Sequence, residues 1–261
     1  MKEINIPPKI VWGKLDGVHR IIAKIAPTDI TILIEGEIGT GKRLVAQVIH
    51  ALSSRRDQPF IPVNCAAIPD GLLTTEVFSQ IAKRGTVFLD EIGDMNSCKQ
   101  TELLCMLEEN DCRLNSCLED VLVDFRIIAA SRKNMEKAVK AGMFSQRLFF
   151  RLCVLKIKLP ALRERNDDII PLAEHFMAGR ARRISLRAKK LLKSYHWPGN
   201  VIELKNCIDR AVILGNGKII QSQDLPHAVR RCGKIIPAPP ESADRPGREE
   251  DEKKTLHLYE N

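Results

Sequence analysis

No apolar run in this 261-residue chain approaches the ~20 residues that a membrane helix needs, so contact with a membrane by spanning is not expected. The N-terminal MKEINIPPKIVWGK has neither an apolar h-region nor a small-residue cleavage site; nothing there marks the chain for secretion, and the expected compartment is the cytoplasm. Eight cysteines, at 65, 98, 105, 112, 117, 153, 207 and 232, contain no C-x-x-C pair, which removes the usual spacing of a zinc site. Cys98, Cys105 and Cys112 are seven apart and share at most a rough helical face; the set reads as reduced thiols. No internal repeat is present.

What is there suffices for a globular protein. Hydrophobic residues make up 44%, enough for a packed core. The net charge of +8 is concentrated: His175 to Cys232 holds 12 Lys/Arg against three Asp/Glu, or +9, leaving −1 for everything else. A C-terminal third this basic can meet nucleic acid or an acidic protein, although a solvated helical face is the plainer reading.

Short β-rich runs at Ile30–Glu35, Phe60–Val63, Thr86–Asp90, Phe125–Ala130 and Val154–Lys158 alternate with helical periodicities such as Leu44, Val45, Val48, Ile49, Leu52. This alternation predicts an α/β fold, a parallel sheet between helices. After Pro171 only helical patterns continue: Ala188, Leu191, Leu192, Tyr195, then Val201, Leu204, Ile208, Val212 beyond the Pro198-Gly199 turn. The expected division is an α/β domain over 10–172, a small all-α domain over 173–232, and a tail over 233–261 whose Pro- and charge-rich composition reads as disordered.

GEIGTGKR at 36–43 lies between an apolar strand and an amphipathic helix, the context of a phosphate-binding loop. Gly36, Gly39 and Gly41 let the backbone curl so that N–H groups face phosphates, Lys42 adds a positive charge, and the following helix presents its positive end. Arg43 stands where Ser or Thr usually holds Mg²⁺, with Thr40 as a nearby hydroxyl. In TVFLDEIGD at 86–94, a buried strand delivers Asp90 and Glu91 at its C-terminal edge. Asp90 in that position holds Mg²⁺ through water, and Glu91 orients and deprotonates an attacking water.

GEIGTGK, PFIPVNCAAIPDGLL, GTVFLDEIGD, VDFRIIAAS, LPALRERNDDI and YHWPGNVIELKN follow one another in order. Over roughly residues 10–226 the chain thereby resembles the AAA+ central domain of sigma-54-dependent transcription activators, the bacterial enhancer-binding proteins. The resemblance implies a P-loop AAA+ five-stranded parallel sheet followed by a helical lid, with ATP and Mg²⁺ between them. It also implies assembly into rings and remodelling of sigma-54 RNA polymerase. The residues it places at the nucleotide are Gly36, Glu37, Ile38, Gly39, Thr40, Gly41, Lys42, Arg43, Asp90 and Ser131; Glu91 and Arg151 are the catalytic pair, Arg151 acting in trans.

The chain departs from the family at several points. EVFSQ runs almost directly into IAKRGTVFLDE, so roughly twenty residues of the loop bearing the family's GAFTGA sigma-54 contact are absent, a loss of length that loops tolerate. Ser131-Arg132 replaces a Thr-Asn pair, Ser145 the first trans-acting arginine, and Ile202 the lid arginine. An arginine finger carries a factor of ~10³–10⁵ in rate, so slow hydrolysis is expected unless Arg132 or Arg147 compensates. The expected function is an ATP-binding AAA+ transcription regulator; the alternative is a nucleotide-binding or ring-forming module without productive hydrolysis or sigma-54 contact. No complete helix-turn-helix follows residue 232, so DNA contact of that kind is not expected. Trp197 reads as a packing anchor, and His50 and His196 as surface or satisfied core. Arg163 and Arg165 look by resemblance like hinge or neighbouring-subunit contacts, a solvated charge cluster being the alternative.

Overall fold

The computed structural model describes residues 16–69, 84–115, 124–177, 183–215 and 217–231. The expected tail, the shortened loop around Ser79-Gln80, and the side chain of Cys112 lie outside what it describes. Five strands, β1 (Ile32–Glu35), β2 (Phe60–Asn64), β3 (Thr86–Asp90), β4 (Arg126–Ser131) and β5 (Leu155–Lys158), form one parallel sheet in the order β2-β3-β4-β1-β5. Each strand falls on one of the five predicted runs.

Alternation along these strands sorts the core into two layers. Leu33, Val87, Leu89, Ile127 and Ala129 face one side, packed under α3 (Ser97–Asn115), α4 (Met135–Lys140) and α5 (Gln146–Leu152). Ile32, Ile34, Phe88, Ile128 and Ala130 face the other, covered by α1 (Asp16–Ile25) and α2 (Lys42–Ala51). Coverage of both faces is why the central strands read as unbroken apolar runs.

Two buried polar side chains inside this body show how such groups are held, although Arg126 Nε itself has no hydrogen-bond partner among the described residues. His50 brings Nδ1 to 2.9 Å from Thr86 Oγ1 and packs on Phe60, and burial pulls its pKa down; it is a satisfied core histidine. Arg126, fully buried, donates to Ala26 O at 2.8 Å and Ile25 O at 3.0 Å, placing its charge at the negative end of α1. The cysteines described are all free thiols, and burial pushes Cys65 and Cys207 up to about 12. Among the described residues no group of three or more His, Cys, Asp or Glu is placed to hold a metal ion, and no helix is long and apolar enough to cross a membrane.

A third core belongs to the lid: α6 (Ile169–Phe176), α7 (Leu186–Ser194), α8 (Asn200–Leu214) and α9 (His227–Arg231). Its cluster begins at Leu162, ahead of the expected division after Leu172. The lid is helical as expected, with one addition: β6 (Arg183–Ile184) and β7 (Ile219–Ile220) form a parallel pair. Two residues are too few to leave an alternation in the sequence. Trp197 is fully buried at the centre, its Nε1 donating to Leu192 O at 2.9 Å and its ring edge-on to Tyr195. Trp197→Ala is expected to lower stability by ~3–5 kcal/mol, read as a drop in the urea midpoint; an unchanged midpoint would remove Trp197 from this role.

Candidate nucleotide site

The loop after β1 takes its shape from its glycines. Gly39 and Gly41 have φ of +79° and +101°, and a Cβ at Gly39 would stand 2.2 Å from Gly199 O. Both the left-handed backbone and the approach of the lid therefore require glycine there. The amides of Gly39, Gly41, Lys42 and Arg43 donate to no other described group. Four unused N–H groups around a left-handed turn at the start of a helix form a concave donor site fitted to an anion such as a polyphosphate.

The carbonyls of the same loop are all taken. Lys42 Nζ donates to Gly36 O at 3.0 Å and Glu37 O at 3.3 Å, and Glu37 O also accepts from Thr40 Oγ1 at 2.8 Å. Asn200 Nδ2 donates to Ile38 O at 2.8 Å, and Val201 N to Gly39 O at 2.9 Å. Arg165 Nη2 lies 3.3 Å from Thr40 O. Glu37 carries a two-pronged ion pair with Arg163, with one contact at 2.8 Å, and accepts from Asn200 Nδ2 at 3.2 Å. Arg163, and then Asn200, hold the Glu37 carboxyl down to about 2. Arg163 and Arg165 thus contact the loop within this chain. Asn200, fully buried at φ +52° and also accepting from Leu162 N at 2.8 Å, was not singled out from the sequence. Its place beside Gly199 in the Pro-Gly turn was the available signal.

Asp90 and Glu91 leave β3 next to this loop, as the spacing predicts. Glu91 adopts φ +54°, a left-handed conformation that a non-glycine residue holds only under constraint. Its Oε1 pairs with Lys42 Nζ at 3.2 Å, its Oε2 accepts from Arg132 N at 3.1 Å, and its own N–H donates to Asp90 Oδ1 at 3.1 Å. Asp90 remains beside Lys42 as a half-buried carboxylate, the hard oxygen donor that Mg²⁺ takes. The donor set fits Mg²⁺ with a polyphosphate.

Several expected residues are used differently. Ser131 is buried, but its hydroxyl donates to Lys133 O at 3.1 Å and accepts from Lys133 N at 3.0 Å. Its contribution to the loop is a backbone one, its carbonyl accepting from Gly36 N at 3.1 Å. Arg132 pairs with Asp94 at 3.1 Å and Arg147 with Glu108 at 2.8 Å, both with exposed guanidinium side chains. Ser145 caps α5, its hydroxyl accepting from Leu148 N. Ile202 is 58% exposed in the first turn of α8, and Ile38 56% exposed on the loop. Arg43 is exposed at the start of α2. Arg151 lies in the last turn of α5, a helix packed on α3, α4 and β4.

Comparison with known proteins gives this geometry its context. Residues 13–82 and 79–158 match the sigma-54 interaction domain, and residues 163–235 the AAA+ ATPase lid domain. The chain is 40% identical over 232 residues to the transcriptional regulatory protein ZraR of Salmonella typhimurium, covering 80% of this chain and 53% of that protein. It is 40% identical over 242 residues to the Nif-specific regulatory protein of Azospirillum brasilense, covering 84% of this chain and 38% of that one. It therefore spans about half or less of the length of these curated relatives. Among solved structures, NtrX from Brucella abortus in complex with ADP superposes with a TM-score of 0.72 at 31% identity, covering 87% of this chain and 56% of that one.

Burial, and then the Glu91 charge, push the Asp90 carboxyl above the ordinary carboxylate range. The folded chain therefore holds this proton more tightly than the unfolded chain, and stability falls as pH rises through the raised value. Asp90→Asn is expected to raise the Tm of the nucleotide-free protein at pH 7. The advantage should shrink below about pH 4, where the carboxyl is protonated in both states. A Tm at pH 7 that did not rise would refute the placement of Asp90 in a desolvating, like-charged site.

Proposed function

The chain belongs to the sigma-54 interaction domain family, and from that premise we propose that it is a cytoplasmic AAA+ transcription regulator that binds Mg·ATP and hydrolyses it slowly. The observation that carries this reading is the loop's division of labour: four amides left unpaired on one side, every carbonyl engaged on the other. Gly39, Gly41, Lys42 and Arg43 bind phosphate oxygens through their N–H groups. Lys42 exchanges its carbonyl and carboxylate partners for those oxygens, and Glu91, so released, accepts a proton from the attacking water. Asp90 would hold Mg²⁺, and the ion would supply neutralisation of phosphate charge.

Slow turnover is supported by the positions already occupied. Ser145 serves as a helix cap, Ile202 presents a hydrocarbon where a lid cation acts in the family, and Arg132 and Arg147 are held by Asp94 and Glu108. Arg151 then acts across a subunit boundary in a self-associated ring. A second reading, a nucleotide-binding module without productive hydrolysis, is favoured by the Lys42–Glu91 pair, which keeps the base on the lysine until nucleotide competes for it.

Lys42→Ala removes a charge-assisted contact of ~1.5–3 kcal/mol, so ATP affinity by calorimetry should fall about tenfold or more. Glu91→Gln should bind ATP but release no phosphate. Equal affinity in wild type and Lys42→Ala would overturn the site; no phosphate release from wild type at any protein concentration would select the module reading.

Sigma-54 RNA polymerase is the partner the family implies, and the shortened loop argues against a direct push on it. The two family matches overlap at 79–82, a discontinuity at the place where the motif-bearing loop is missing. The chain alone is therefore expected to form no open complexes in a purified assay with sigma-54 holoenzyme, promoter DNA and ATP, any effect requiring mixed rings with an intact relative. Open complexes formed by this chain alone would overturn that expectation.

A further inference from the structure

Away from the nucleotide, the least balanced feature of the molecule is the charge on its lid. Three carboxylates lie between Arg183 and Arg231 in the described residues, and all are engaged locally. Glu203 accepts from Tyr195 Oη at 3.0 Å and Gly199 N at 2.7 Å, Asp209 pairs with Lys205 at 3.2 Å, and Asp224 accepts from Gln221 N at 2.7 Å. Of the lysines and arginines in this stretch, Lys205 has Asp209 and Lys189 has Glu174. The others are exposed, with no carboxylate at ion-pair distance among the described residues. Five sit on two helices in contact: Arg187, Lys190 and Lys193 on α7, Arg230 and Arg231 on α9.

The arrangement on α7 is regular. Ala188 and Leu192 are buried, which turns the opposite side of the helix outward. Arg187, Lys190 and Lys193 recur every three residues along the exposed flank, spread over about 9 Å of axis at ~1.5 Å per residue. Like charges set this close repel one another unless a dense anion lies against them. Duplex nucleic acid presents about one negative charge per 1.7 Å of axis.

We propose that this face of the lid, α7 with α9, is a contact surface for the phosphate backbone of duplex DNA, engaged without reading sequence. Single strands fit it less well, because their strong stacking partners are withdrawn: Trp197 is buried and the Tyr195 hydroxyl is tied to Glu203, leaving the exposed imidazoles of His196 and His227 as the rings nearby. An acidic protein needs an apolar centre inside the charged rim, and on α7 and α9 the one large exposed apolar side chain is Leu186, at the end of its helix. The choice of DNA over other duplexes rests on the reading of the chain as a transcription regulator. A backbone contact of this kind adds affinity and orientation near a promoter and leaves sequence choice to other groups.

The test titrates the full chain into a fluorescein-labelled random duplex of about 20 base pairs and follows anisotropy from about 50 to about 200 mM KCl. With about four phosphate contacts, affinity should fall ~10²-fold over that range. Lys190→Gln/Lys193→Gln should weaken binding and lower the salt slope by about two. Lys137→Gln/Lys140→Gln, which removes the same charge from the exposed side of α4, should leave both unchanged. Lys42→Ala should keep DNA binding, so a failure of the nucleotide reading is told apart from a failure here. Three results would each overturn the proposal: no binding at the lowest salt, equal effects of the lid and α4 pairs, or a polyglutamate peptide of equal charge competing as well as unlabelled duplex. The last would assign the face to acidic proteins.

Discussion

The loop from Gly36 to Gly41 leaves the amides of Gly39 and Gly41 without partners among the described residues, and a backbone that does so must place its carbonyls elsewhere. Each carbonyl finds a specific partner. Lys42 takes Gly36 O and Glu37 O, Asn200 takes Ile38 O, Val201 N takes Gly39 O, Arg165 reaches Thr40 O, and Val45 N closes the first turn of α2 onto Gly41 O. The sheet fixes the loop's start, through Ser131 O and Gly36 N. Each of these hydrogen bonds contributes about 0.5–1.5 kcal/mol, and those from Asn200, Val201 and Arg165 come from the lid side, so the loop's conformation and the lid's position are determined together.

That coupling bears on the loss of the family's lid arginine. In this chain the lid reaches the loop through the buried amide of Asn200, the first free N–H groups of α8 and the Arg163–Glu37 pair, whichever residue stands at 202. The first-turn amides of a helix have no partner within it, so α8 can use one of them to hold Gly39 O. The lid is thereby tied to the loop without a contribution from the side chain at 202, which stands exposed. Lys42 and Glu91 occupy one another in the same state. Asp90 stands beside this pair as a second carboxylate, half-buried and next to the Glu91 charge.

The altered family positions are not empty ones. Ser145 satisfies an amide in the first turn of α5, a role that arginine cannot fill. Arg132 and Lys133 gather on Asp94, which they hold below the usual carboxylate range. At these positions the side chains serve local capping and pairing.

Elements governed by local rules were legible from the sequence. The five strands, the glycine loop with its strand and helix, and the emergence of Asp90-Glu91 follow from hydrophobic period and backbone sterics, which act over a few residues. The anchor role of Trp197 and the helical lid were legible on the same grounds. The two-residue β6–β7 pair was not, being shorter than any period, and neither were the fully buried arginine Arg126 or the role of Asn200. Composition makes a charged or amide side chain look exposed, and only the arrival of carbonyls more than a hundred residues away makes it a buried donor. The sequence by itself determined where the backbone would curl into a glycine loop between strand and helix. The tertiary structure decided which side chains hold that backbone in shape, because hydrogen-bond partners are chosen by distance in space, which the order of residues along the chain does not encode.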